Sequence, residues 1–310
     1  MDKERSMKAC PGCGKPSPGW HPTCLRKLFG VPEIPDISGI FKNNVAELAL
    51  ESAGRLSISG AQPKLSVRVE GGSIVPAAKN GTHILKPPVP QWREMPQNEN
   101  LIMSLAGAAG IEIPPHGLLT NGRGDTFYIV KRFDRAGSAH RVHVEDFCQA
   151  GGIPRDMKYR KSAEFCGKLI KTVTTFPKIE EQKFFKLVVF NFLAGNGDAH
   201  LKNYSFLYRR QRTVLAPAYD LVSSSLLIPG ETQSAIPVNG KLTKLRLKDF
   251  KALGNNLKIL PETVKKHISC LLKKLPEFKE LIKAAEFSEE MKIALTQLIE
   301  ERASTLGGEI

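Results

Sequence analysis

The chain has no hydrophobic run approaching the ~18 consecutive apolar residues that a membrane-spanning helix requires. Its start, Met1 to Lys8, is charged and lacks the apolar core of a secretory signal, so the expected location is the cytoplasm, away from membranes. Cysteine is sparse as well. Of six in 310 residues, Cys10, Cys13 and Cys24 are bunched near the start, while Cys148, Cys166 and Cys270 are scattered through apolar segments. That distribution excludes a disulfide framework and leaves the scattered three as reduced core residues. Acidic residues are outnumbered, 31 against 45 Lys and Arg, giving a net charge of +14. Between Lys241 and Lys283 the basic residues are almost all lysine with little aromatic interleaving, which favours at most attraction to a nucleic-acid backbone over base reading. No internal repeat or low-complexity tract is present.

What remains is ordinary globular material, 41% hydrophobic and 25% charged, long enough for two lobes with their own cores. Residues 1–30 are rich in Cys, His, Pro and Gly. From Leu56 to Lys86 the pattern turns strand-like. Leu65 to Val69 alternates, Gly71-Gly72 makes a turn, and Thr82 to Lys86 resumes the strand before Pro87 and Pro88 stop it. Gln97 to Ala109 has helical spacing and ends at Gly110, and Thr126 to Phe133 gives another strand. Past Glu145, helical segments dominate: 161–172, 182–194, 248–253, 263–275 and 289–303. The expected fold is α+β and bilobal, like a protein kinase, with a β-rich N-lobe and a helical C-lobe. The expected divisions are a Cys/His-rich segment at 1–30, an N-lobe at 31–147 and a catalytic C-lobe at 148–310. Between Lys241 and Lys283 stand twelve Lys or Arg against four acids. This is either a solvated helical surface or a face for nucleic acid or an acidic partner.

The densest chemistry lies in Asn196-Gly-Asp-Ala-His-Leu-Lys-Asn203, followed by Pro217-Ala-Tyr-Asp220. An acid with an asparagine five positions on, then a second acid after a strand-like run, is the layout of a kinase catalytic loop and its metal ligand. Asp198 is placed to orient an attacking hydroxyl, and Asn203 with Asp220 to hold Mg²⁺ against nucleotide phosphates. A polar turn between helices is the plainer reading, but five polar positions at fixed spacing exceed what a turn needs. Lys86 ends a strand and Glu99 lies on the following helix. That is how a phosphate-binding lysine is held in kinases. The Gly-bounded segment Gly54 to Lys64 can approach phosphates through its backbone, although it carries neither the G-x-G-x-x-G nor the Walker pattern. Ser57 and Ser59 within it are candidate phosphoacceptors.

These pieces occur in order over residues 54–224: Ser-Ile-Ser-Gly-Ala-Gln-Pro-Lys, His-Ile-Leu-Lys-Pro, Asn-Glu on a helix, Lys131-Arg-Phe-Asp-Arg135, Glu145-Asp-Phe-Cys-Gln149, the Asn196–Asn203 loop and Tyr219-Asp220-Leu221. Together they resemble the HipA family of serine/threonine kinase toxins. The resemblance implies ATP and Mg²⁺ as cofactors, Asp198 as catalytic base assisted by Lys86, Glu99 and Lys202, and Asn203 with Asp220 as metal ligands. It places Ser59, Gly60, Ala61, Gln62, Lys64, Lys86, Glu145, Phe147 and His200 around the nucleotide, with Glu145 and Phe147 meeting adenine through the hinge backbone. It implies autophosphorylation at Ser57 or Ser59. Only 56 residues precede Ser57, too few for the additional N-terminal subdomain of full-length HipA. In this the chain is most similar to HipT, the short kinase of tripartite HipB–HipS–HipT systems. The implied partners are a small HipS-like antitoxin and a DNA-binding HipB-like protein, with DNA met through the partner or the basic surface. The implied substrate is an aminoacyl-tRNA synthetase or another translation factor. The competing expectation is a catalytically weak kinase-fold scaffold in a DNA-bound repressor complex.

Cys10-x₂-Cys13-x₇-His21-x₂-Cys24 stands apart from that resemblance. Four soft or borderline ligands at this spacing are expected to bind Zn²⁺; the plainer reading is a reduced N-terminus with reactive thiols.

Overall fold

Glu70 and Ser73 face each other across a two-residue turn in which Gly71 and Gly72 both take positive φ (57° and 78°). Paired glycines adopt that conformation without a Cβ clash, and its twist matches the flanking strands. The turn joins β1 (Leu65–Glu70) to β2 (Ser73–Pro76) and seeds the first sheet of a computed structural model that describes residues 8–41, 63–136 and 140–307. Two compact units divide the chain. The first takes residues 1–104, 114–141 and 283–287, and the second 105–113, 142–282 and 288–310.

In the first unit, β3 (His83–Lys86), β4 (His116–Thr120) and β5 (Thr126–Lys131) complete an antiparallel five-stranded sheet of order β2-β1-β3-β5-β4. The period-2 pattern of β1 turns Leu65 and Val67 into a core shared with Ile74, Leu85, Leu119, Phe127 and Ile129. Helix α1 (Pro22–Phe29) adds Leu25, Leu28 and Phe29 to the same core. Proline at its first turn and Gly30 at φ 84° after its last fix both ends of this helix. Two side chains from the sheet cap it: His83 Nε2–H donates to Leu28 O (2.8 Å) and Lys131 Nζ to Lys27 O (3.1 Å). Burial lowers the His83 pKa, consistent with a neutral ring donating to a carbonyl. A short helix α2 (Ser38–Phe41) packs on β2, and α3 (Met95–Ala108) carries Glu99.

The second unit contains a sheet of its own, β8 (His143–Asp146), β9 (Ser205–Arg209) and β10 (Arg212–Leu215), after the small β6–β7 ribbon (Arg135–Ala136, His140–Arg141). Helices α4 (Phe147–Ala150), α5 (Ala163–Val173), α6 (Pro177–Ala194), α7 (Leu247–Asn256), α8 (Pro261–Leu272), α9 (Leu275–Ala284) and α10 (Glu289–Gly307) follow, with strands β9 and β10 between α6 and α7. Helix α6 opens with charged, partly exposed turns and becomes almost wholly apolar from Phe184 on, where it enters the core; Phe184, Phe185, Val189 and Phe190 are buried. Its two buried acids are paired, Glu180 with Lys183 Nζ (3.0 Å) and Glu181 with Lys178 Nζ (3.3 Å). Among the described residues no helix is long and apolar enough to cross a membrane. Within the basic stretch, Lys241, Lys265, Lys274 and Lys279 pair with Asp249, Glu262, Glu277 and Glu300.

Candidate active site

Helix α6 stops at Gly195, whose φ of 71° lets its N–H turn back onto Asn191 O and Phe192 O. The eight residues that follow are held by the Asn196 side chain, by Ser224 and by their own backbone bonds. Asn196 Oδ1 accepts from Asp198 N–H (3.1 Å), and Asn196 Nδ2 donates to Asn191 Oδ1 (3.2 Å). Gly197 N–H donates to Ser224 Oγ (2.7 Å). A Cβ on Gly197 would stand 2.6 Å from Glu231 Oε2 and 2.9 Å from Gln233 O, so only glycine fits there. His200 N–H donates to Asp198 O (2.7 Å), and a 3₁₀ turn over Leu201–Asn203 brings Asn203 N–H onto His200 O (2.9 Å). The result is a rigid loop with an exposed Asp198 carboxylate.

Asn203 Oδ1 is buried and has no hydrogen-bond partner. Buried acceptors are rarely left so, and an oxygen reserved in this way suits a hard cation such as Mg²⁺. Tyr219, one residue before Asp220, donates its hydroxyl to Lys202 O (2.8 Å) and meets Ser205 Oγ at 2.6 Å. This ties the strand-end segment to the loop, and Asp220 itself takes a left-handed backbone, φ 53°. His200 lies in the field of both Asp198 and Asp220; even so, burial lowers its pKa, and its Nδ1 is buried without a partner. Lys202 Nζ pairs with Asp146 at 2.5 Å, at the end of β8. Glu145 accepts from the Tyr208 hydroxyl. Phe147 is fully buried against Phe206, ring centroids 4.7 Å apart, and its N–H donates to Tyr204 O (3.0 Å). Both features turn Phe147 inward.

In the first unit Lys86 Nζ bonds both Glu99 oxygens, at 2.7 and 3.0 Å, and both residues are buried. The Lys86 ammonium also faces the ring of Tyr128, its direct cross-strand neighbour, 5.6 Å from the centroid. Lys64, at the entrance to β1, is exposed. Ser57, Ser59, Gly60, Ala61 and Gln62 lie outside the described residues. At the N-terminus the ligand atoms of Cys10, Cys13, His21 and Cys24 all fall within 4.8 Å of one another.

Several residues at this site escaped the sequence reading. The Tyr159 hydroxyl donates to Asp198 Oδ1 at 2.5 Å, and its ring meets His200 edge-on at 5.0 Å. Burial first, and then that bond, raise the Tyr159 pKa, so the phenol keeps its proton. Lys158 O accepts from Leu201 N–H (3.1 Å). Arg302, far away in α10, donates to Phe192 O (2.6 Å) and Ser225 Oγ (3.3 Å), bracing the end of α6 and the segment that holds Gly197. Only Asp146, next to Glu145 in the quoted motif, had a local signal.

An antiparallel sheet carrying a lysine paired to a helical glutamate, and a helical unit carrying an Asp–Asn–Asp set, define a kinase-like fold, and comparison with solved structures agrees. The chain is similar to HipA from a Shewanella oneidensis HipA–HipB–operator DNA complex (TM-score 0.72, 24% identity, 82% of this chain and 66% of that one). It is also similar to the Helicobacter pylori proinflammatory kinase CtkA (TM-score 0.55, 17% identity, 77% of this chain and 90% of that one). The HipA-like C-terminal domain family matches residues 56–278, and the chain belongs to that family. Among curated relatives, "Putative kinase Y4mE" of Sinorhizobium fredii is 39% identical over 188 residues, 57% of this chain and 44% of the relative. "Serine/threonine-protein kinase toxin HipA" of Shewanella oneidensis is 30% identical over 207 residues, 60% of this chain and 47% of the relative. The chain thus spans about half the length of the curated relatives it matches.

Proposed function

We propose that the protein is an ATP- and Mg²⁺-dependent serine/threonine protein kinase that acts as a toxin. The observation that carries this reading is the loop in which Asp198 is exposed and braced while Asn203 Oδ1, five residues on, is buried and unpartnered. A scaffold has no need of either. Asn203 and Asp220 would hold Mg²⁺, which when bound would offset charge on the γ-phosphoryl group of a nucleotide. Asp198 accepts the hydrogen bond of a substrate hydroxyl, aims its oxygen and takes its proton as that oxygen bonds to the γ-phosphorus and the bond from phosphorus to the departing nucleoside diphosphate breaks. Tyr159 restrains the Asp198 carboxylate from its other side. Lys86, fixed by Glu99, is the phosphate-binding lysine that the family resemblance implies, and His200, its pKa lowered by burial, lies in the field of Asp198 and Asp220. The Phe147 N–H is committed to Tyr204 O, and the same antiparallel register sets Glu145 opposite Phe206, so the β8–β9 ladder occupies the hinge backbone at both residues.

The finer reading is a HipT-type toxin, held by a HipS-like antitoxin and a DNA-binding HipB-like partner. It would be switched by autophosphorylation at Ser57 or Ser59 and directed at an aminoacyl-tRNA synthetase or another translation factor. The motif order over residues 54–224, and the HipB and operator DNA bound to the solved HipA, support it. Transfer from γ-labelled ATP, wild type against Asp198→Asn, tests the kinase reading. We expect loss of at least a hundredfold, and equal labelling of the two proteins would leave the scaffold reading. Phosphopeptide mapping after expression in cells reports the loop serines and the substrate together.

A further inference from the structure

Among the described residues, the phosphotransfer residues leave one chemical cluster without a role, that of Cys10, Cys13, His21 and Cys24. We propose that it is a closed structural zinc site that staples the N-terminal segment to the first-unit sheet and stiffens the wall beneath the helix bearing Glu99. This inference is independent of the kinase reading.

Geometry comes first. Zinc bound tetrahedrally, with Zn–S near 2.3 Å, sets its ligand atoms ~3.8 Å apart. All four candidate atoms lie within 4.8 Å of one another, and Cys13 Sγ is 3.4 Å from His21 Nδ1. Contraction by about 1 Å at most completes the sphere. The two ligand arms are already shaped for it. Cys10 N–H donates to Lys15 O (2.8 Å) and Gly14 N–H to Cys10 O (2.9 Å), with Gly14 at φ 71°, which folds Cys10-x₂-Cys13 into a tight turn. His21 N–H points at Cys10 Sγ (3.3 Å), the kind of amide–sulfur contact that orients a thiolate ligand. Cys24 N–H donates to His21 O (2.9 Å) as α1 begins, so His21-x₂-Cys24 is set by a helix start.

The donor set then chooses the metal. Three thiolates and one imidazole suit zinc, whereas iron–sulfur clusters are generally held by four thiolates or, in one class, by two thiolates and two imidazoles. Four protein ligands leave no open position, which fits a structural role and not a catalytic one. All three cysteines are free thiols, and Cys10 is fully buried.

Packing supplies the consequence. Trp20, beside the His21 ligand, is wedged between two glycines. A Cβ on Gly12 would stand 2.7 Å from its ring, and one on Gly117 of β4 would stand 2.2 Å from it. The ring therefore locks the turn onto the sheet. Cys10 and Gly14 line one wall of a small cavity whose other wall is Gln97, Asn100 and Ser104 of α3. Asn100 in turn accepts from His116 Nδ1–H (2.9 Å), one residue before Gly117. Metal loss would thus loosen the turn, free Trp20 and remove the support of α3.

The test uses the full-length chain. Elemental analysis after dialysis should find one zinc per chain, and zinc X-ray absorption should show three sulfurs near ~2.3 Å and one nitrogen near ~2.0 Å. In a Trp92→Phe background, leaving Trp20 as the sole tryptophan, chelation should red-shift its fluorescence and lower the thermal midpoint, and added zinc should restore both. Cys24→Ser should lose the metal. Should that variant not fold, cobalt exchange into the wild type keeps the test open, since a tetrahedral thiolate site gives intense ligand-field and charge-transfer bands. Absence of bound zinc together with an unmoved midpoint would overturn the proposal, as would a disulfide among Cys10, Cys13 and Cys24 in non-reduced peptide maps. None of these readouts depends on phosphotransfer.

Discussion

Replacing Glu99 by Gln keeps the shape of the side chain and removes the negative charge that pairs with a buried cation. The Lys86 and Glu99 side chains are only 8% and 1% exposed, with the ammonium 2.7 Å from the nearer carboxylate oxygen. At that depth solvent screens little, and stranding one charge of a buried pair costs about 3–5 kcal/mol. The Tyr128 ring stays in place in the variant and offsets about 0.5–2 kcal/mol of that. The expected loss is therefore near the lower bound, ~3 kcal/mol, or roughly 6–12 °C in thermal midpoint for a unit of this size. Trp20 and Trp92 both lie in the first unit and are the only tryptophans, so their fluorescence reports its unfolding specifically. Lys86→Met should cost a similar amount. The double variant Lys86→Met/Glu99→Met should recover most of it, because two apolar side chains of similar volume avoid the desolvation that the ions suffer. All three variants should lose phosphotransfer, and that split separates a functional pair from a structural one. Single variants within ~1 kcal/mol of wild type would show that water reaches the pair and would refute the burial argument. A double variant that still transfers phosphate would remove the pair from the nucleotide site.

Asn203→Ala should reduce phosphotransfer by about a hundredfold and raise the Mg²⁺ concentration required, while leaving stability within ~1 kcal/mol of wild type, since the Oδ1 it deletes has no partner; a large stability loss would mean that the oxygen has a structural role. Tyr159→Phe removes one hydrogen bond to the Asp198 carboxylate. It should lower kcat roughly tenfold, the ~1.5 kcal/mol value of a bond to a charged group, without changing KM for ATP; faster turnover would show instead that the phenol competes with the substrate hydroxyl. His116 gives the protein an acid-sensitive component, because burial pushes its pKa down to about 3 from an unfolded value near 6.5. Between those values the unfolded chain binds the extra proton, so the contribution of neutral His116 is intact above pH ~6.5 and lost as pH falls, at up to ~1.4 kcal/mol per pH unit. Midpoints measured from pH 7 to 5 should fall less steeply in His116→Gln; parallel slopes would contradict this.

What could be read from the chain was whatever its neighbours in sequence dictate. The strand pattern of Leu65–Val69 and the glycine turn after it depend on local sterics, and the kinase-like α+β class followed from such patterns. Lys86 and Glu99, 13 residues apart, were legible as a pair because a strand-end lysine followed by a helix is itself a short-range pattern. The run before Asp220 reads as strand-like, and β9 and β10 lie there, but their assembly with β8 into one sheet was not legible, since β8 lies about sixty residues upstream in sequence. Helix α9 was missed for a related reason: Pro276 sits inside its first turn, where proline is tolerated, yet reads in sequence as a break. At the site the same division holds. Asn196, Asp198, His200 and Asn203 lie within one loop, and their spacing announced them. Tyr159 reaches Asp198 across 39 residues and Arg302 reaches Phe192 across 110. No periodicity encodes such contacts, because they are chosen by packing after the elements have formed. The residues that would do chemistry are thus local in sequence, while those that hold them in position are distant. Variants of the distant set should therefore shift rates by tens where the loop residues shift them by hundreds.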